Sequence, residues 1–493
     1  MQGTMIQFFH WNYPMDQPLW QDVVSEADNL SQLGITAVWL PPAFKPTSMN
    51  SVGYDAYDLY DLGEFDQKGF IETRYGSKEE YIHAIQTLHE KDIKAYANVV
   101  LNHKAGADEA EEVKAFEVDW KDRTKKIGKV HKIKAYTKFT FPGRHNKYSS
   151  YKWDYRCFSG VDWDDKKQEK GIFKLINRYG KHWENVLSKE NGNFDFLMFS
   201  DIEFRNKSVR KELFKWGLWY LETTQIDGFR LDAVKHIRTS VMKKWLSKLR
   251  KKTGKEIFSV GEFAGPLDTL LEYIKRSKGC MSLFDFPLHK KFTAAARDGK
   301  DFDLRTIFND TLVARAPDHS VTFLDNHDTQ PLRENESFIE KWFRPLAYAL
   351  ILLRKEGYPC IFYPDLYGAE YKGNDKDGEE TEVKLKPCYG IRKMLEARKD
   401  KAYGTQRDFF SDSHIIGWTR AGTDDIRASG CAVLVNNFED GELEMEIGIR
   451  HARQTFYEIT GSRKDTVTID DSGKAVFKVN AGSAAVWVQT ENE

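Results

Sequence analysis

A chain of 493 residues is too long for one hydrophobic core, and its 41% hydrophobic content excludes wholesale disorder. A formal net charge of −1 excludes the basic character of a polyanion binder, so no nucleic-acid partner is expected. No stretch is apolar and long enough to cross a bilayer, so no membrane partner is expected either.

Residues 4–11 read as a first strand and 19–33 as an amphipathic helix stopped by Gly34. Residues 35–40, ITAVWL, form an apolar strand ended by Pro41 and Pro42. After a long loop, VGYDAYDLYDLGEF, a helix over 77–91 and a strand over 93–101 follow. Such alternation predicts parallel β/α units, and near-continuous Val, Ile and Leu strands fit a sheet buried on both faces.

The rhythm stops after His103 and resumes near Lys207. A structureless loop of that size is disfavoured, so 104–206 is expected to be an inserted subdomain of irregular β structure. Its basic run over 121–134 is expected to be a solvated hairpin edge. Beyond it, Val209, Leu213, Trp216 and Tyr220 recur at helical spacing. Then come a strand to Asp232, a helix over 235–252, a strand to Glu262 and a helix over 267–276. Strands are expected near 281–284, 321–324 and 358–363, and helices across 338–354 and 389–399. The count predicts an α/β fold, a TIM (β/α)8 barrel formed by 1–103 and 207–399, with the insertion after strand 3. From residue 400 to 493, short alternating segments such as IIGWTR, CAVLVNN and AAVWVQ predict an all-β C-terminal domain.

Four strands deliver polar groups at their C-terminal ends. They are YANVVLNH ending in Asn102 and His103, IDGFRLDAVKH carrying Asp232, IFSVGEF carrying Glu262, and VTFLDNHD ending in His327 and Asp328. In a TIM barrel those ends build the active site. Arg230 lies two residues before Asp232 on the same strand face, where a guanidinium favours the ionised carboxylate. A protonated acid beside an ionised carboxylate is the pair that glycosidic-bond hydrolysis requires.

Together these segments resemble the signatures of the α-amylase family, glycoside hydrolase family 13, and most of all its bacterial liquefying and intracellular members. The resemblance runs from MIQFFHW to AGSAAVWV. It implies endo-hydrolysis of α-1,4-glucosidic bonds in an α-glucan or maltooligosaccharide by a retaining double displacement. It implies Asp232 as nucleophile, Glu262 as acid and then base, and Asp328 as the residue holding the hydroxyls of the reacting sugar. His103 and His327 would hydrogen-bond the same sugar, Tyr57 would stack beneath it, and Lys235 and His236 would contact the leaving-side glucose. It further implies one Ca2+ between barrel and insertion, held by Asn102, Asp195, Asp201 and the main-chain carbonyl of His236. Relatives with a further metal cluster carry acids where this chain has Glu203 and Arg205, and the arginine argues for a single ion. Where the family has an aspartate this chain has Asn98, whose side-chain oxygen is expected to face Arg230.

The five cysteines are scattered, odd in number and without CxxC spacing, which suits a reducing compartment. MQGTMIQFFHW carries no positive n-region or apolar h-region, so a cytoplasmic location is expected. A monomer is expected.

Overall fold

A computed structural model of the chain describes residues 3–489. The first two residues of the leader reading, Met1 and Gln2, lie outside the described residues. Eight strands close into a barrel: β1 Met5–Gln7, β2 Ala37–Leu40, β3 Lys94–Val99, β4 Gly228–Leu231, β5 Phe258–Gly261, β6 Ser282–Phe284, β7 Ser320–Phe323 and β8 Tyr358–Phe362. Their order round the barrel follows the chain, the right-handed β/α succession that parallel strands favour. β4 is buried along its whole length, as a strand covered on both faces must be. Gly228 is required there: a Cβ would stand 2.6 Å from the Phe258 carbonyl oxygen and 2.8 Å from the Tyr96 ring. No larger residue lets β3, β4 and β5 approach so closely.

The insertion between β3 and β4 is more regular than its sequence suggests. It is a six-stranded sheet whose longest hairpin pairs Glu109–Val118 with Lys126–Lys138. The basic run occupies the turn and second strand of that hairpin, with Lys132 3.1 Å from Glu112 on its exposed face. Beyond residue 400 the chain forms a six-stranded antiparallel sheet and a two-stranded one, packed around Phe456, Phe477 and Trp487.

Two helices differ from expectation. The one after β4 begins at Thr239, not Lys235, because Val234–His236 first forms a 3-10 turn. The one expected across 338–354 spans only Arg344–Leu352, with Pro345 in its first turn. Before it, Arg344 is buried between Asp325, at 2.6 Å, and Asp365, and also donates to the Ile339 carbonyl. Those bonds hold the preceding residues out of a helix. A hairpin, Ala369–Asn374 with Glu380–Leu385, was not apparent in the sequence because its strands are largely charged.

Contacts divide the chain into two compact units. One comprises Met1–Pro14, Asp28–Val38 and Phe284–Glu493; the other comprises Met15–Ala27 and Trp39–Leu283. β3, β4, β5 and the insertion belong to the second unit.

Candidate active site

Strand register builds the centre of the site. Arg230 pairs with Asn98 on β3 and with Val260 on β5, so its side chain emerges between its two neighbours. Arg230 Nη1 donates to Asp232 Oδ1 at 2.5 Å and to Asn98 Oδ1 at 3.0 Å, and Nη2 lies 2.9 Å from Glu262 Oε2. One guanidinium therefore bridges both predicted catalytic acids, and Asn98 faces it as expected. Arg230 is almost fully buried, whereas Asp232 and Glu262 keep 10% and 21% of their side chains exposed. The charge is held inside and the reactive oxygens face outward.

Directly after Asp232 the backbone turns through Ala233, which has a φ of 51°. A left-handed residue with a Cβ costs on the order of 1 kcal/mol, and such strain concentrates at functional sites. Here it aims the Ala233 N–H at Glu262 Oε2, 3.0 Å away. The following 3-10 turn carries Lys235 and His236. Lys235 Nζ lies 2.6 Å from Glu190 Oε2, and His236 Nδ1 meets the Phe194 carbonyl oxygen at 2.7 Å. Burial pushes the His236 imidazole down to about 3.

Tyr57 is not placed to stack beneath a sugar. It is 1% exposed, its hydroxyl donates to Asp108 at 2.7 Å, and the Lys68 ammonium lies 4.1 Å from its ring centroid. Tyr54, three residues earlier and half-buried, has its ring 5.7 Å from the Arg230 guanidinium. Its hydroxyl accepts from Asn98 Nδ2 at 2.5 Å. Sequence reasoning passed over it. The available signal was its place right after Gly53, a left-handed turn residue that opens the loop. His103 is buried beside Tyr54, with Nε2 2.9 Å from the Tyr54 carbonyl oxygen, and burial pushes its imidazole down to about 4. Its contact with a sugar requires exchange of that bond.

In the other unit, His327 and Asp328 follow β7. His327 Nδ1 is 3.2 Å from Gln7 Nε2, and its ring lies parallel to Trp11 at 6.1 Å. His327 Nε2 is 3.4 Å from Asp328 Oδ2, and the Asp328 N–H donates to Asn326 Oδ1 at 2.8 Å. Gln7 and Trp11, from the opening MIQFFHW, are functional candidates that the residue patterns did not single out.

The predicted metal ligands gather where the insertion meets the bend after β3 that carries Asn102. Asn102 Nδ2 is 3.5 Å from Asp201 Oδ1, Ser159 donates to Asp201 Oδ2, and the Glu184 N–H donates to Asp195 Oδ2 at 2.8 Å. Burial, then repulsion from Glu184, pushes the Asp195 carboxyl well above the usual range; burial, then repulsion from Asp195, does the same to Asp201. Among the described residues no three His, Cys, Asp or Glu side chains form a metal-holding group. Two buried, under-neutralised carboxylates beside an amide and main-chain carbonyls nonetheless fit a hard, oxygen-seeking cation. Arg205 binds Glu203 through Nε at 2.7 Å and Nη2 at 2.5 Å. Lys174, which the sequence analysis missed, is buried beside the same acids and donates to the carbonyls of Ser159 at 2.7 Å and Leu175 at 3.2 Å. Its signal was a lysine flanked by Phe173 and Leu175 in an otherwise apolar strand end.

Comparison with known proteins agrees with this geometry. The alpha amylase catalytic-domain model matches residues 19–388, and the alpha-amylase C-terminal model matches 432–488. An alpha-amylase of Geobacillus stearothermophilus is 49% identical over 99% of this chain and 87% of its own length. The cytoplasmic alpha-amylase of Escherichia coli is 44% identical over 99% of both. Among solved structures, an Anoxybacillus alpha-amylase superposes with a TM-score of 0.64 at 18% identity, covering 100% of this chain and 98% of that one.

Proposed function

Because this chain belongs to the α-amylase family and is a hydrolase of internal α-1,4-glucosidic bonds, we propose that Asp232, Glu262 and Asp328 divide its chemistry among them. The observation that carries the reading is the convergence of Asp232 and Glu262, from the ends of adjacent strands, on one buried Arg230 guanidinium. Asp232 attacks the anomeric carbon while Glu262 gives its proton to the departing glucosidic oxygen, leaving a covalent glycosyl-enzyme. Glu262, now a carboxylate, takes a proton from water; that water attacks the same carbon and expels Asp232, with net retention. Asp328 binds hydroxyls of the reacting ring and favours its distortion toward the oxocarbenium-like transition state.

Arg230 keeps Asp232 charged and aimed, and Asn98 steadies Arg230. Tyr54, in place of Tyr57, gives the ring its aromatic platform. His103 holds the Tyr54 loop and His327 holds Asp328, each within reach of the sugar. Lys235 and His236 meet the leaving-side glucose, with Lys235 exchanging Glu190 for it. Asn102, Asp195, Asp201 and the His236 carbonyl would hold Ca2+, which would supply positive charge to the under-neutralised acids. The functional division of the chain is a catalytic barrel of 1–103 with 207–399, an inserted subdomain of 104–206 and a C-terminal domain of 400–493. The substrate is an α-glucan such as starch, glycogen or maltodextrin. A cytoplasmic setting is supported by five free thiols and by the relative described as cytoplasmic.

The experiment is NMR of fresh product from a maltooligosaccharide. The α-anomer must appear first. Initial β-anomer overturns the nucleophilic role of Asp232.

A further inference from the structure

Away from the catalytic acids, a cavity of about 460 Å3 lies among the helices Lys207–Thr224 and Thr239–Thr253 and the end of the insertion. That volume falls within the roughly 300–1,000 Å3 of small-molecule sites. Its walls carry Arg205, Arg210, Arg238, Lys244 and Lys248 against a single carboxylate, Glu184. Arg205 is committed to Glu203. Among the described residues Arg210, Arg238, Lys244 and Lys248 form no ion pair with a carboxylate.

The helix Thr239–Thr253 sharpens the imbalance. It contains Lys243, Lys244, Lys248, Arg250, Lys251 and Lys252 and no acidic residue. Basic residues in a last helical turn complement the helix dipole, but Arg238 at the N-cap and Lys243 and Lys244 close behind it oppose it. Lys244 and Lys248 stand four apart, a like-charge spacing that destabilises a helix by a few tenths of a kcal/mol. The N-cap side chain makes no capping bond and the first turn holds no acid. The chain thus sets four cations around a concave space against one carboxylate, Glu184, whose charge Arg238 favours.

We propose that this cavity is a second ligand site, which binds a small sugar phosphate through its phosphomonoester. The Arg238 guanidinium fork matches a pair of phosphate oxygens, Arg210, whose Nη1 donates to the Phe204 carbonyl, adds its remaining N–H donors, and Lys244 and Lys248 add point charges. The start of the helix adds the positive end of its dipole. The space exceeds what a bare phosphate fills, and the Phe204 and Phe214 rings line it, with the Lys248 ammonium 5.8 Å from the Phe214 centroid. Those apolar faces suit the C–H surface of a sugar. The chain's net charge of −1 disfavours a polymeric anion.

The test is isothermal titration at constant ionic strength with glucose 6-phosphate, inorganic phosphate and glucose. Glucose 6-phosphate should saturate one site, inorganic phosphate should bind about tenfold more weakly, and glucose should give no heat. The triple variant Arg238→Gln, Lys244→Gln, Lys248→Gln alters exposed side chains and should keep its melting temperature and starch hydrolysis. It should lose affinity for glucose 6-phosphate by at least about tenfold, which is ~1.4 kcal/mol. No saturable binding of glucose 6-phosphate at millimolar concentration overturns the site. So does a triple variant that binds as tightly as the parent. Inorganic phosphate binding as tightly as glucose 6-phosphate overturns the sugar as part of the ligand.

Discussion

Two buried acid clusters in the same compact unit solve their charge problem in opposite ways. At Asp232 and Glu262, one buried arginine bonds directly to both carboxylates, and Asn98 takes its remaining reach. At Asp195 and Asp201, the nearby cations point elsewhere. Arg205 is spent on Glu203, and the Lys174 ammonium donates to main-chain carbonyls. Burial and repulsion from neighbouring acids push both aspartates far up, and burial with repulsion from Glu203 pushes Glu184 up to about 7. A cluster neutralised by its own chain is ready for chemistry without help. A cluster left short of positive charge takes up protons or gains from a cation brought from outside.

The strongest break in that contrast is removal of the first cluster's two acids, together with Asp328, the third acid assigned to the chemistry. Asp232→Asn, Glu262→Gln and Asp328→Asn should each fold normally and lose about a thousandfold or more in kcat, because each acts in the transition state. Steady-state rates on soluble starch decide it, and a variant keeping a tenth of the parent kcat is excluded from its role.

Next in size is the second cluster's own cation. Lys174→Met is close in volume but removes the ammonium from among the acids. It should destabilise the metal-free protein by roughly 3–5 kcal/mol, the scale for uncompensating a buried charge. The calcium-loaded protein should lose less, so the gap between the two melting temperatures widens. An equal loss in both forms would detach Lys174 from the metal site.

Chelation of the parent protein comes third. At free calcium a few hundred times Kd, the ion contributes about 3 kcal/mol to the native state, and excess chelator should remove it reversibly. Asp201→Asn should abolish most of that increment. A melting temperature unmoved by prolonged chelation removes calcium from the account.

The patterns of residues reached the first cluster almost entirely and the second only in part. An apolar strand ending in a carboxylate is visible in one dimension, and adjacency of consecutive barrel strands placed Asn98 beside Arg230. What hid was set by distant chain. Tyr54 and Tyr57 are three residues apart, and distant partners such as Asp108, 51 residues on, and Phe141 decide which of them is covered. Lys174 sits in an apolar strand end that gives no hint of acids arriving from residues 184–203. The late start of the helix at Arg344 likewise depends on Asp325 and Asp365, neither of them a sequence neighbour.

The smallest effect makes the first cluster resemble an over-acidic one. Asn98→Asp gives Arg230 a third carboxylate to hold. A charge-assisted bond should raise stability by about 1 kcal/mol. The added negative charge disfavours ionised Asp232, so the acid limb of kcat/KM against pH should move upward slightly. A less stable variant, or a limb displaced downward, would show that Asn98 does not act through Arg230.

The insertion also bears on how the barrel comes together in time. Asn98 and Arg230 lie side by side on β3 and β4 yet are 132 residues apart in the chain. Closing so long a loop costs little more than closing one of half the length, about 0.6 kcal/mol per doubling. The search is the slow part, because non-local parallel pairings form only after the ends have met. If the insertion's hairpin over 109–138 collapses early on its own local contacts, it reels in part of that distance before β4 must find β3. Variants that loosen the hairpin turn near Asp122 should then slow refolding more than they speed unfolding.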